Sequence, residues 1–153
     1  YCNKPEAFVL QRIKKYNIES LVFNSHELNN KLVLKDLNKI SPDLIVLAGF
    51  LQKIPEDIIY SYRNKIINIH PSLLPKYGGK GMYGLNVHRN VIKNNDSESG
   101  FTIHYVNKDY DKGDVIFQKR VKVGTDDPKN LAKKVLIEEH KYYPEIIIKI
   151  LYD

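Results

Sequence analysis

Between Pro42 and Pro55 the chain reads Asp-Leu-Ile-Val-Leu-Ala-Gly-Phe at residues 43–50, an apolar run without polar alternation. A strand with one wet face alternates in period two, whereas one covered on both faces does not. Residues 43–50 are therefore expected to form a strand buried on both faces of a parallel sheet. Ile66–His70 is a second such run, stopped by Pro71, and residues 55–62 between them carry a short helical pattern. Strands alternating with helices point to an α/β fold, a largely parallel sheet with helices on both faces.

The flanking segments extend this pattern. Pro5 introduces a helical face made by Phe8, Val9, Ile13 and Tyr16, since proline is tolerated in a first turn. Residues 20–23 form a short β-leaning run, and Leu32, Leu34, Leu37 and Ile40 recur at helical spacings. After Pro71 the pattern changes to a proline- and glycine-rich loop over residues 71–84, long enough to be functional and expected to act as a lid. A helix at Leu85–Lys93 then leads to two strands, residues 101–106 and 115–123, joined by a polar turn holding Asp109, Asp111 and Gly113. This is expected to be an antiparallel C-terminal pair. Asp127-Pro128 starts a last helix, with Leu131, Val135, Tyr142, Ile146 and Ile150 as its apolar stripe.

Composition narrows the function classes. The 153 residues suit one domain with a real core, and 42% hydrophobic against 27% charged residues is a globular balance. No apolar run reaches the roughly 18–20 residues of a membrane helix, so no membrane partner is expected. The single cysteine, Cys2, allows no internal disulfide, which fits a reducing, cytoplasmic setting. The net charge of +6 is compatible with nucleic acid, but Lys14-Lys15, Lys119-Arg120 and Lys133-Lys134 are the only adjacent basic pairs. A dispersed charge of this kind favours solubility or a small anionic metabolite over a nucleic-acid footprint.

Ligands of open parallel sheets bind beyond the carboxyl ends of the strands. Asn68 and His70 lie two apart at such an end, so the strand period points both to one side. A carboxamide can donate to a developing oxyanion and an imidazole can move a proton near neutral pH, a pair suited to acyl transfer. The same residues also fit a strand-ending turn with a satisfied core histidine. Asp111 can reach His70 if both turns open on one edge, where its carboxylate would favour the imidazolium; it equally fits an Asx-type turn. His104, alternating with Ile103 and Tyr105, is assigned to support the site or to simple packing.

Other motifs carry less. Residues 78–84, Gly-Gly-Lys-Gly-Met-Tyr-Gly, lack the spacing of a Walker phosphate loop. The five histidines and one cysteine offer no paired ligand spacing, so no metal is expected. The G-x-S-x-G elbow of serine hydrolases is also missing.

The run Asn68-Ile69-His70-Pro71-Ser72-Leu73-Leu74-Pro75-Lys76-Tyr77 resembles the signature of the phosphoribosylglycinamide formyltransferase family. The likeness continues through Ser41-Pro42-Asp43, Ala48-Gly49-Phe50, Tyr110-Asp111-Lys112-Gly113 and Glu139-His140, and residues 78–84 look like a longer variant of the family loop. The resemblance implies a Rossmann-like formyltransferase fold and transfer of a formyl group from 10-formyltetrahydrofolate, as co-substrate and without metal, to the amine of 5-phosphoribosylglycinamide in purine synthesis. It implies that Asn68 holds the formyl oxygen, His70 is the general acid, and Asp111 keeps His70 protonated and orders a water. It further implies a folate pocket of Leu51, Gln52, Lys53 and Ile54 with the turn Asn107, Lys108, Asp109, Tyr110 and Asp111. The ribonucleotide falls to Leu136, Ile137, Glu138 and Glu139, with Glu139 accepting from ribose hydroxyls.

The family's first strand and its glycine-rich phosphate turn have no counterpart in residues 1–153. The expectation is one formyltransferase domain over 1–153, N-terminally truncated, with poor stability and little activity by itself. A formyltetrahydrofolate hydrolase and a noncatalytic folate-binding fragment are the alternatives, and oligomeric state is left open.

Overall fold

Two apolar strands and a hairpin build the sheet that carries the site. The computed structural model describes all residues 1–153, and the chain divides into two units, Tyr1–Pro42 and Asp43–Asp153.

The first unit holds three helices, α1 (Phe8–Lys14), α2 (Ser25–Asn29) and α3 (Leu32–Ile40). The α2 start is a capping box: the Asn24 side chain accepts from the Glu27 N–H at 3.0 Å, and the Glu27 carboxylate accepts from the Asn24 N–H at 2.8 Å. Phe23, Leu28, Val33 and Leu37 are buried. Helix α1 forms where the periodicity placed it, yet none of its residues is buried and Phe8 is 68% exposed. Periodicity specifies an apolar face but not what covers it. The expected strand over 20–23 reduces to one parallel bridge, Cys2 with Val22, because it has a single short neighbour to pair with.

The second unit contains β1 (Ile45–Leu47), α4 (Glu56–Ser61), β2 (Ile66–His70), α5 (Leu85–Lys93), β3 (Glu98–Tyr105), β4 (Val115–Lys122) and α6 (Pro128–Tyr152). The four strands form one mixed sheet in the order β1-β2-β3-β4. The sheet is parallel at its start, between β1 and β2, and antiparallel through the C-terminal pair β3 and β4, with β2 to β3 antiparallel as well. Strand β3 begins at Glu98, earlier than expected, since Glu98, Ser99 and Gly100 pair with Lys122, Val121 and Arg120. A Glu-Ser-Gly sequence reads as a turn when its partner strand is not known.

The expectation for residues 43–50 requires correction. Only Ile45–Leu47 is strand; within residues 1–153 it pairs with β2 alone, and Val46 is 39% exposed. An unalternating apolar run reports a strand that could be covered on both faces; its position in the sheet decides whether it is.

Register separates the two faces of the sheet. Ile69 pairs with Ile103 and Ile103 with Phe117, whereas Asn68 pairs with His104, His70 with Thr102 and Thr102 with Gln118. On the first face Ile67, Phe101 and Ile103 pack with Leu131, Val135 and Tyr143 of α6. Helix α6 starts at an Asp127 cap, whose carboxylate accepts the Asn130 N–H at 2.8 Å. Of the expected α6 stripe, Leu131 and Val135 are fully buried and Tyr142, Ile146 and Ile150 pack at the core margin. No helix is long and apolar enough to cross a membrane.

Candidate functional site

The second face is polar and is covered by the 71–84 loop. Thr102 is the anchor: its hydroxyl donates to the Ser72 carbonyl at 2.6 Å and accepts from the Leu74 N–H at 3.0 Å and the Gln118 amide at 2.9 Å. One donor and two lone pairs are thereby all used. Gln118 also donates to the Leu74 carbonyl at 2.8 Å, so the loop is tied to the centre of the sheet immediately after His70.

His70 points into this arrangement, 5% exposed. Its Nε2 lies 2.8 Å from the Tyr77 carbonyl, which can only accept, so Nε2 carries a hydrogen. Nδ1 stands 3.5 Å from Asp111 Oδ1. The other Asp111 oxygen accepts the Gly79 N–H at 2.8 Å. A Cβ at Gly78 would meet Leu74 Cδ2 at 2.6 Å and Asp111 Cβ at 3.2 Å, so a side chain there would force both to shift.

His104 orients Asn68. Its Nδ1 donates to the Tyr105 carbonyl at 2.8 Å, and its Nε2 lies 3.2 Å from Asn68 Nδ2. Asp111 Oδ1 is 3.6 Å from that Nε2, so a single carboxylate oxygen faces both imidazoles. A bulge beside His104 moves the pairing from Ile103 with Phe117 to His104 with Val115; bulges of this kind re-aim side chains next to sites.

Burial and charge act in opposite directions on His70. Burial lowers the His70 pKa; Asp111 and the Tyr77 carbonyl pull it up and the nearby His104 pulls it down, and the net direction is down. Asp111 favours the imidazolium and burial opposes it, burial being the larger influence. Burial would raise the Asp111 pKa, but the His104 ring, the Gly79 N–H and the charge of His70 together hold it below its ordinary value.

A cavity of about 550 Å³ opens over these groups. Gly49, Phe50 and Leu51 after β1 line it, with Asn68, Ile69, His70 and Pro71 at the end of β2. The loop contributes Gly79 to Gly84, the turn between β3 and β4 gives Tyr110 and Asp111, and α5 gives Leu85 and His88. Ala132, Leu136 and Glu139 complete it from one face of α6. Burial pushes the Glu139 carboxyl up to about 7, and burial with the Glu139 charge raises Tyr143. His88 is buried, with no hydrogen-bond partner at Nδ1 and a pKa lowered by burial.

The structure brings Asn68, His70, His104 and Asp111 together, and Leu51, Tyr110, Leu136 and Glu139 also face or adjoin them around the cavity. Gln52, Lys53, Ile54, Asn107, Lys108 and Asp109 are not among its lining residues. Ile54 belongs to the buried apolar set, and Asn107 shapes the turn by accepting the Asp109 N–H at 2.9 Å and donating to the Lys112 carbonyl at 3.0 Å. Ile137 and Glu138 also fall outside the lining, Ile137 being 66% exposed, because a helix cannot turn four successive residues to one side. Sequence reasoning missed Phe50, Met82, His88 and Ala132. Only His88 carried a signal, an imidazole among the apolar positions of an amphipathic helix.

The family model for formyl transferase matches residues 1–147. The chain belongs to the formyl transferase family. It is similar to the phosphoribosylglycinamide formyltransferase of Escherichia coli K12, 34% identical over 96% of this chain and 70% of that one. The chloroplastic phosphoribosylglycinamide formyltransferase of Arabidopsis thaliana is 46% identical over 72% of this chain; the match spans 38% of the plant relative's length. Among solved structures, the phosphoribosylglycinamide formyltransferase of Bacillus halodurans superposes with a TM-score of 0.87 at 31% identity, over 99% of this chain and 78% of that one. The sheet, its surrounding helices and the C-terminal antiparallel pair are thus those of a formyl transferase. No group of three or more His, Cys, Asp or Glu side chains is arranged to hold a metal ion.

Proposed function

We propose that this formyl transferase moves a formyl group from 10-formyltetrahydrofolate to the amine of 5-phosphoribosylglycinamide. The observation that carries the reading is the shared sheet face of Asn68 and His70, with Asp111 Oδ1 3.5 Å from His70 Nδ1 inside the cavity. The names of the relatives support the substrates, and the family match over 1–147 supports reading both units as one formyl transferase domain.

The amine attacks the formyl carbon, a C–N bond forms, and the carbonyl oxygen becomes an oxyanion. Asn68, oriented by His104, donates an amide hydrogen to that oxygen. The attacking nitrogen must lose a proton and the departing folate nitrogen must gain one. His70 accepts the first at Nδ1 and delivers the second, and Asp111 stabilises the imidazolium between the two steps. Collapse of the tetrahedral centre then breaks the bond from the formyl carbon to the folate nitrogen. The rim at Leu51 and Tyr110 takes the folate ring, while Leu136 and Glu139 take the ribonucleotide, Glu139 accepting from ribose hydroxyls when ionised.

Consumption of 10-formyltetrahydrofolate, followed with and without 5-phosphoribosylglycinamide, tests the reading. Turnover that requires the amine acceptor is expected. Release of formate without the acceptor would overturn it in favour of hydrolysis.

A further inference from the structure

The loop segment 77–79 touches both His70 and Asp111. The Tyr77 carbonyl accepts from His70 Nε2 at 2.8 Å, and the Gly79 N–H donates to Asp111 Oδ2 at 2.8 Å. These are short contacts, whereas His70 Nδ1 and Asp111 Oδ1 stand 3.5 Å apart, at the outer limit of a hydrogen bond. The orientation of the imidazole and of the carboxylate is therefore set by where residues 77–79 sit.

The backbone of that segment needs an outside hold. Tyr77 has φ +55°, a left-handed conformation that a residue with a Cβ adopts when its surroundings impose it. Thr102 and Gln118 grip the loop earlier, at Ser72 and Leu74, and the Ser72 hydroxyl donates to the Lys76 carbonyl at 2.6 Å. At Tyr77 itself the tie is the side chain, whose ring packs at the margin of the core. Its hydroxyl donates to Asp96 Oδ2 at 2.8 Å and accepts from Asn94 Nδ2 at 2.8 Å.

Both partners stand just after α5. The Asn94 N–H donates to the Asn90 carbonyl at 3.0 Å and the Asp96 N–H to the Val91 carbonyl at 3.2 Å. Val91 is buried in the core with Ile67 and Phe101, so this end of the helix is a fixed post. The Tyr77 hydroxyl and Lys76, 3.1 Å away, hold the Asp96 carboxyl below its ordinary value. Asp96 is thus an ionised acceptor at neutral pH, and a hydrogen bond to a charged acceptor is stronger than one between neutral groups.

We propose that Asp96 is a positioning residue for the reacting pair: through the Tyr77 phenol it fixes the carbonyl that orients His70 and the Gly79 N–H that orients Asp111. Asp96 lies outside the cavity lining and acts through that one side chain. The positioning stands on geometry alone; its effect on turnover rests on the formyl-transfer reading.

NMR of the histidine rings reads the positioning without substrate. In wild type the His70 Nε2–H should be protected from exchange with water. Tyr77→Phe, which removes one oxygen, and Asp96→Ala should each reduce that protection by about tenfold. Both should lower the His70 pKa, because the Tyr77 carbonyl pulls it upward. Formyl transfer should fall by about tenfold in kcat, with KM for either substrate within about twofold of wild type. Asp96→Asn keeps an oxygen to accept the phenol hydrogen and should restore most of these losses. Lys76→Met removes the exposed ion pair to Asp96, leaves the phenol bond, and should change none of them. Altered His70 signals in a protein that transfers no formyl group would remove the proposed reaction and keep the positioning role. An unmoved His70 in Tyr77→Phe, or the same loss in Lys76→Met as in Asp96→Ala, would overturn it. So would His70 signals that move while formyl transfer proceeds unchanged.

Discussion

The two faces of one sheet divide the work of this molecule. On the apolar face Ile67, Phe101 and Ile103 pack against α6, while on the other Asn68, His70, Thr102, His104 and Gln118 meet the 71–84 loop and Asp111. The same strands supply both, because successive residues point to opposite sides. The core can thus be rigid and dry within one residue of the reacting groups, and the position of His70 is inherited from the packing of Ile67 and Ile69.

The faces should respond differently to substitution. His70→Ala, on the polar face, should lower formyl transfer by roughly 10³-fold in kcat, with a stability loss of only about 1 kcal/mol as the Tyr77 carbonyl loses its donor. Ile103→Ala, on the apolar face, should cost about 3 kcal/mol in chemical denaturation. Its kcat per folded molecule should stay close to wild type. If His70→Ala unfolded the chain, or Ile103→Ala removed activity without loss of stability, the division between the faces would fail.

Thr102→Val sharpens the comparison, because it changes a polar-face residue whose role is anchoring. It leaves the buried Leu74 N–H without its acceptor, and a loss of about 2 kcal/mol is expected. The Tyr77 carbonyl at His70 belongs to the same loop, so an NMR titration of His70 should shift together with stability.

Titration gives the smallest effects. The pKa values of His70 and His88 lie below the unfolded value of 6.5, so their stability contribution is complete above that pH and is lost as pH falls through it. Glu139 has the opposite sign: with a folded pKa near 7 against 4.5, its contribution is present below 4.5 and lost as pH rises through 7. Glu139→Gln should therefore stabilise the protein at pH 8 by on the order of 1 kcal/mol, after allowance for the solvent that reaches the half-buried carboxylate. At pH 4 it should do little, and urea denaturation at the two pH values checks both.

Much of this arrangement was legible in the sequence. Spacing put Asn68 and His70 on one side of a strand, and the polar turn offered Asp111 as a partner. What spacing could not give was the balance of burial against charge at His70, which depends on the loop that covers it. Nor could it give the three-residue extent of β1, since an apolar run does not name the partner whose pairing ends the strand. Of Leu136 to Glu139 only the first and last line the cavity, because helical spacing turns Ile137 and Glu138 away. The α1 face shows the same limit, with a correct helix and an uncovered stripe.

The central claim is that His70 and Asp111 act as one proton-handling unit on the polar face. A double-mutant cycle on formyl transfer tests it, with His70→Ala, Asp111→Asn and the pair. The account predicts that the double variant is within about twofold of His70→Ala alone, as expected when one partner has no function without the other. Losses that multiply, each substitution costing as much in the double variant as alone, would contradict it.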